Sequence, residues 1–125
     1  MREILFRGKT ASGVWVEGDL IINSANGISF SYIRYKVNAW NYSRAKVDPE
    51  TVGQYTGLTD KNGKKIFEGD VVKWDGTEIS QIRYCEGVYR LCNAKGYYGV
   101  SLHNHYSYVE VIGNIHDNPE LLRGE

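Results

Sequence analysis

At 125 residues, with 42% hydrophobic and 24% charged side chains, the chain has the composition of an ordinary water-soluble protein, which argues against intrinsic disorder and leaves room for one hydrophobic core. Fifteen basic residues balance fifteen acidic ones, so the whole-molecule field gives no reason to expect a polyanionic partner. No apolar run approaches the roughly 20 residues of a membrane-spanning helix, and MREILFRGK lacks the apolar core and cleavage site of a secretory signal. The expected location is therefore cytoplasmic, with no membrane partner, and Cys85 and Cys92 are expected as free thiols. The charge is uneven: residues 1–47 hold seven cations against three acids, and residues 48–125 hold eight against twelve.

From Arg2 to Arg7, Ile4 and Phe6 alternate imperfectly with Glu3, Leu5 and Arg7 and predict a first strand, paired in a hairpin with VWVEGDLII. Gly18 within the second run marks a bulge or a close backbone approach. Asn26-Gly27 can take the positive φ angles of a tight reversal, and a third strand follows through ISFSYIRYKV. By period two, Ile28, Phe30 and Tyr32 share one face and Ser29, Ser31 and Ile33 the other, so the polar side of the sheet is expected to carry the small residues. Alternation is lost from Asn38 to Lys46, which reads as a loop. Asp48-Pro49-Glu50-Thr51 has an acid, a proline and a second acid in the order that opens a helix, so one helical turn is expected there.

From Val52 the strand pattern returns, and Asp60-Lys61-Asn62-Gly63-Lys64 is the strongest hairpin turn in the chain. With Asn62-Gly63 as a two-residue loop, Leu58 would face Phe67 and Thr59 would face Ile66. Gly57, Gly63 and Gly69 recur every six residues, each where a strand must turn, bulge or pass close to another backbone. Glu68 and Asp70 flank the last of them and are expected to bond nearby backbone amides rather than to act as acids or metal ligands. Turns are predicted at Asp75-Gly76, at Glu86-Gly87 and within Ala94 to Gly99, separating strands EISQIRY, GVYRLCN and YSYVEVIGNIH. Asn118-Pro119 then opens a short helical turn that Leu121 and Leu122 anchor.

The segment Val52 to Val72, the opening REILFRG and the ending VIGNIHDNPELL together resemble the YopX protein family of phages and prophages. The match is collinear over both ends and the middle and loose between Lys9 and Asp48 and between Trp74 and Tyr106. Where the family continues past FR with a tryptophan–acid pair, this chain has Gly8-Lys9-Thr10. The resemblance implies a small, mainly β protein encoded in a phage or prophage genome, and brings no established activity or catalytic residues with it.

The fold class expected is mainly β: a small SH3-like or closed antiparallel barrel with an N-terminal β subdomain and short helical turns. The N-terminal β subdomain is placed at 1–47 and the barrel at 48–125. No Ser/His/Asp order, phosphate-cradling loop or dinucleotide fingerprint is present, so no catalytic residue is nominated, no cofactor is expected and an enzyme is the minority reading. The segment richest in chemistry is Tyr32 to Lys46, where Tyr32, Arg34, Tyr35, Lys36, Trp40, Tyr42, Arg44 and Lys46 interleave rings and cations without one acid. Two readings of it stand. A protein partner or a second copy of the chain comes first, because Tyr, Trp and Arg are enriched at interfaces. A nucleic acid comes second, because cations neutralise phosphates while flat rings stack on unpaired bases. His103 and His105, two apart on what reads as an extended strand, are a third and weaker candidate as a metal pair.

Overall fold

The structure is a computed structural model and describes residues 3–74, 76–93 and 98–123. The turn expected at Asp75 and the stretch 94–97 lie outside the described residues. The chain divides into two compact units between Tyr55 and Thr56. Both are built from antiparallel strands, so the protein is mainly β and barrel-like. No helix among the described residues is long and apolar enough to cross a membrane.

The first unit contains β1 (Phe6–Lys9), β2 (Trp15–Ala25), β3 (Ile28–Lys36) and most of β4 (Tyr42–Thr59). Its pairing closes on itself, because β1 pairs with both β2 and β4 while β3 lies between β2 and β4. The β2–β3 hairpin is the one that Asn26-Gly27 predicts: both residues have positive φ, 54° and 78°, and Ala25 faces Ile28 across them. Gly18 stands where β2 changes partner from β1 to β3. A Cβ there would lie 2.0 Å from the carbonyl oxygen of Arg34, so the expected close backbone approach is present.

Which face of β3 points inward is the reverse of the expectation. Ser31 and Ile33 are buried, whereas Ile28, Phe30 and Arg34 are exposed and Tyr32 half-exposed. The reason is steric. The interior of this small ring is lined by Gly8, Ser31, Ile33, Val47 and Thr51, and a Cβ on Gly8 would already come within 2.8 Å of Val47. Close packing at this point favours small side chains, so Ser31 and Ile33 line the inside while Phe30 and Tyr32 stand on the outer face.

β4 also corrects two local expectations. The loop after β3 is short, held by Val37 N–H donating to the Asn41 carbonyl and by Asn38 Oδ1 accepting from the amides of Trp40 and Asn41. The strand resumes at Tyr42, and its inward positions Ala45 and Val47 are too small to give a readable hydrophobic alternation. The helical turn expected at Asp48–Thr51 is instead strand with a bulge. Arg7 and Lys9 of β1 are two residues apart, but their partners Gly53 and Asp48 are five apart. Asp48 Oδ1 accepts from the Glu50 amide, the local bond its sequence favours, while Thr51 Oγ1 donates to the Asp48 carbonyl and accepts from the Lys9 amide. Pairing with β1 thus outweighs the helix-start signal, and Pro49, which has no N–H, sits in the bulge where none is needed.

The second unit holds the end of β4, β5 (Lys65–Phe67), β6 (Asp70–Trp74), β7 (Glu78–Cys85), β8 (Val88–Cys92), β9 (Tyr98–Ser101) and β10 (Glu110–Asn114). Its five-stranded sheet runs in the order β10-β6-β7-β8-β9. Ile66, Val72, Ile82, Leu91, Leu102 and Val109 form its core, with Leu58, Trp74, Tyr89, Val100 and Val111 packed against them. The β4–β5 loop has three residues rather than two. The Asp60 amide donates to the Lys64 carbonyl and the Gly63 amide to the Asp60 carbonyl, with Gly63 at φ 82°, so the strand pairing expected from a two-residue loop does not apply. Gly57 and Gly69 also have positive φ, at 87° and 92°.

Buried carboxylates hold this unit together. Asp60, 6% exposed, accepts at Oδ1 from the amides of Asn62 and Lys64 and at Oδ2 from the amide of Val111 on β10. Burial alone would raise its pKa, but the three amide donors, helped by Lys64, hold it below the ordinary value. Asp70, buried beside Gly69, accepts from the Phe67 amide, the backbone role predicted for it. A 3-10 turn at Pro119–Arg123 follows Asn118 as expected. Cys85 and Cys92 are free and buried, and burial pushes the Cys92 thiol above its usual pKa.

Candidate functional site

The register between β3 and β4 assembles most of the ring-and-cation segment on one exposed face. Tyr32 faces Lys46, Arg34 faces Arg44 and Lys36 faces Tyr42. These are the alternate residues that point away from Ile33 and Val47, so one periodicity both fills the inside of the first unit and sets the outer surface. Each ring is matched with a cation on the diagonal. Lys46 Nζ lies 4.2 Å from the centre of the Phe30 ring, the Arg44 guanidinium 4.5 Å from that of Tyr32, and the Arg34 guanidinium 4.2 Å from that of Tyr42. On the face of β2 that carries Asp19, Asp19 opposes Arg34, with a carboxylate–guanidinium separation of 3.8 Å between two exposed side chains. Such an exposed pair contributes little stability.

The three diagonals have a physical consequence. Arg34 and Arg44 are direct cross-strand neighbours of like charge, an arrangement that is unfavourable in an empty sheet. Each guanidinium lies over a tyrosine ring while keeping several N–H donors, of which Arg34 Nε faces Asp19. The pair therefore forms a forked donor array suited to one phosphate or carboxylate, flanked by aromatic surface.

Not every predicted residue joins this face. Tyr35 lies on the opposite side of β3, across from Ser43, and is half-buried. Trp40 is in the loop and 90% exposed, its amide tied to Asn38. Phe30 and Asp19 belong to the face but are not among the predicted site residues. An apolar ring such as that of Phe30 suggests a core position, and the period-two alternation of β3 is the signal that places it on the face of Tyr32. Trp15 continues the pairing of rings with cations on the first unit, with the Arg7 guanidinium 4.9 Å and Lys9 Nζ 6.0 Å from its centre.

The histidine pair is arranged otherwise than an extended strand requires. His103 lies in a 3-10 turn, Leu102–Asn104, and His105 follows it immediately before a second, Tyr106–Tyr108. The side-by-side spacing expected of alternate strand residues is absent. His105 Nδ1 is 2.9 Å from the Ser101 carbonyl, and its ring meets Trp74 edge-on at 6.0 Å. Among the described residues there is no group of three or more histidine, cysteine or acidic side chains placed to hold a metal ion.

Comparison with known proteins agrees with the fold. Protein EF1440 from Enterococcus faecalis is 24% identical in its crystal structure, with a TM-score of 0.58 over 98% of this chain and 99% of that one. Protein yopX from Bacillus subtilis is 16% identical, with a TM-score of 0.55 over 98% of this chain and 97% of that one. No curated protein matches. The family model described as YopX protein matches residues 6–123, nearly all of the chain, and the chain belongs to that family.

Proposed function

We propose that this protein is a phage or prophage accessory protein that works in the host cytoplasm by binding. Its ligand is single-stranded nucleic acid, held on the outer face of β3 and β4. The observation that carries this reading is the Arg34–Arg44 pair, directly opposed across two strands and each stacked on a tyrosine. A bound phosphate relieves the repulsion between the two guanidiniums, and Tyr32, Tyr42 and Phe30 offer the flat surface on which unpaired bases stack. Lys36 and Lys46 extend the cationic track along the strands, and Asp19 is the acid that pairs with Arg34.

Fluorescence anisotropy with labelled homopolymeric and mixed-sequence oligonucleotides at two salt concentrations tests this. The wild-type protein is expected to bind with an affinity that falls as salt rises. Arg34→Ala/Arg44→Ala is expected to weaken binding at least tenfold for every sequence and to lower the salt slope by roughly 0.7, the amount for the one phosphate that is no longer neutralised. Binding that ignores salt, or a double variant that binds like the wild type, would rule the reading out.

A protein partner at the loop between β3 and β4 is the second reading, supported by Trp40, the most exposed of the large apolar side chains among the described residues. Affinity capture from host cells with and without nuclease separates the two: loss of the captured material on nuclease treatment favours nucleic acid, and its persistence favours a protein.

A further inference from the structure

The sequence from Leu20 to Ile33, LIINSANGISFSYI, contains no charged residue, and it forms the far end of the β2–β3 hairpin. The neighbouring strands do not cover it. β1 pairs with β2 only as far as Gly18, and β4 pairs with β3 only from Ser31 onward. Among the described residues, one edge of residues 19–25 therefore has no strand beside it. Ile22 is 60% and Ile28 56% exposed on this ribbon. Proteins ordinarily guard such an edge with lysine, proline or a bulge, because an open row of backbone donors and acceptors recruits another strand. None of these devices stands between Leu20 and Ala25.

We infer that this edge is the dimer interface of the protein, with β2 of a second copy adding antiparallel across residues 19–25. The charge pattern identifies the occupant. Apart from Asp19 at its start the strip carries no charge, so it has no cation for a nucleic acid and little with which to select a foreign strand, whereas it fits a copy of itself. A two-fold axis at Ile22, the midpoint of the edge, sets Ile22 against Ile22 of the other copy, Leu20 against Ser24 and Asp19 against Ala25. No like charges then oppose each other, and the two exposed isoleucines cover one another. This inference concerns a different edge from the cationic face and stands independently of the proposed ligand.

Light scattering at micromolar concentrations is expected to give twice the chain mass for the wild type and the single chain mass for Ile22→Lys. The far-UV spectrum of that variant is expected to be unchanged, since its side chain is exposed within one chain. Ile22→Cys, mildly oxidised, is expected to run as a covalent dimer without reductant, and Cys85→Ser/Cys92→Ser in the same background removes any contribution from the buried thiols. A wild type of single chain mass throughout that range overturns the inference. So does an Ile22→Lys variant that keeps the doubled mass, or an Ile22→Cys dimer that fails to cross-link.

Discussion

Replacing Asp60 by alanine is expected to destabilise the second unit by about 4 kcal/mol, because three backbone amides lose a charged acceptor at once. Two of those amides shape the β4–β5 loop, and the third belongs to β10, 51 residues further along the chain. Urea denaturation at neutral pH measures the loss, and a change under 1 kcal/mol would mean that water replaces the carboxylate without penalty. The same group sets a pH dependence. Its pKa in the folded protein lies below the ordinary value, so the stability it contributes is complete above the unfolded carboxylate range, near pH 4, and is lost as pH falls through the folded value. The stability difference between wild type and Asp60→Asn is therefore expected to be larger at pH 7 than at about pH 3. An equal difference at both pH values would contradict the assignment.

Gly18→Ala is expected to cost the first unit about 3 kcal/mol, at the upper end for overpacking by one methyl group. The added carbon would meet the Arg34 carbonyl at 2.0 Å and Ile33 Cγ2 at 3.2 Å. The first of these is backbone of the adjacent strand and cannot rotate away, so β3 must shift. Because Arg34 rides on that segment, the same substitution is expected to weaken oligonucleotide binding although Gly18 has no side chain to touch a ligand. Thermal denaturation and the anisotropy assay measured together test this: a variant with an unchanged midpoint would show that β2 and β3 separate at little cost.

Turn chemistry was the most legible part of the sequence. Asn26-Gly27 and the glycines at 57, 63 and 69 specify backbone angles that few other residues adopt, so a local reading located these turns, although the β4–β5 loop has three residues where Asn62-Gly63 suggested two. The backbone role of Asp70 and the turn after Asn118 were legible for the same reason, since each acts within a few residues of itself. The orientation of β3 was not legible. Period two separates its residues into two sets correctly, but which set turns inward depends on the width of the space that four strands enclose, and no single strand encodes that width. The bulge at Asp48–Thr51 was hidden likewise, because a local helix-start signal gave way to pairing with β1, more than 40 residues away. For the candidate site, the composition of Tyr32 to Lys46 was visible, but the opposition of Arg34 and Arg44 was not. It depends on a loop of five residues, Val37 to Asn41, where the alternation suggested nine.

The pairing of β6 with β10 bears on the order in which the protein is made as well as on the strength with which it holds. Every strand pairing of the first unit lies within residues 6–54, so a ribosome releases all it needs before the second unit is half synthesised. The second unit has to wait: β6 gains its outer neighbour, and Asp60 its last donor, only after Glu110 to Asn114 have emerged. Until then a buried carboxylate and an open strand edge are exposed to whatever surrounds the nascent chain. Stalled chains ending before Glu110 are thus expected to resist protease over the first unit and to be cut within the second.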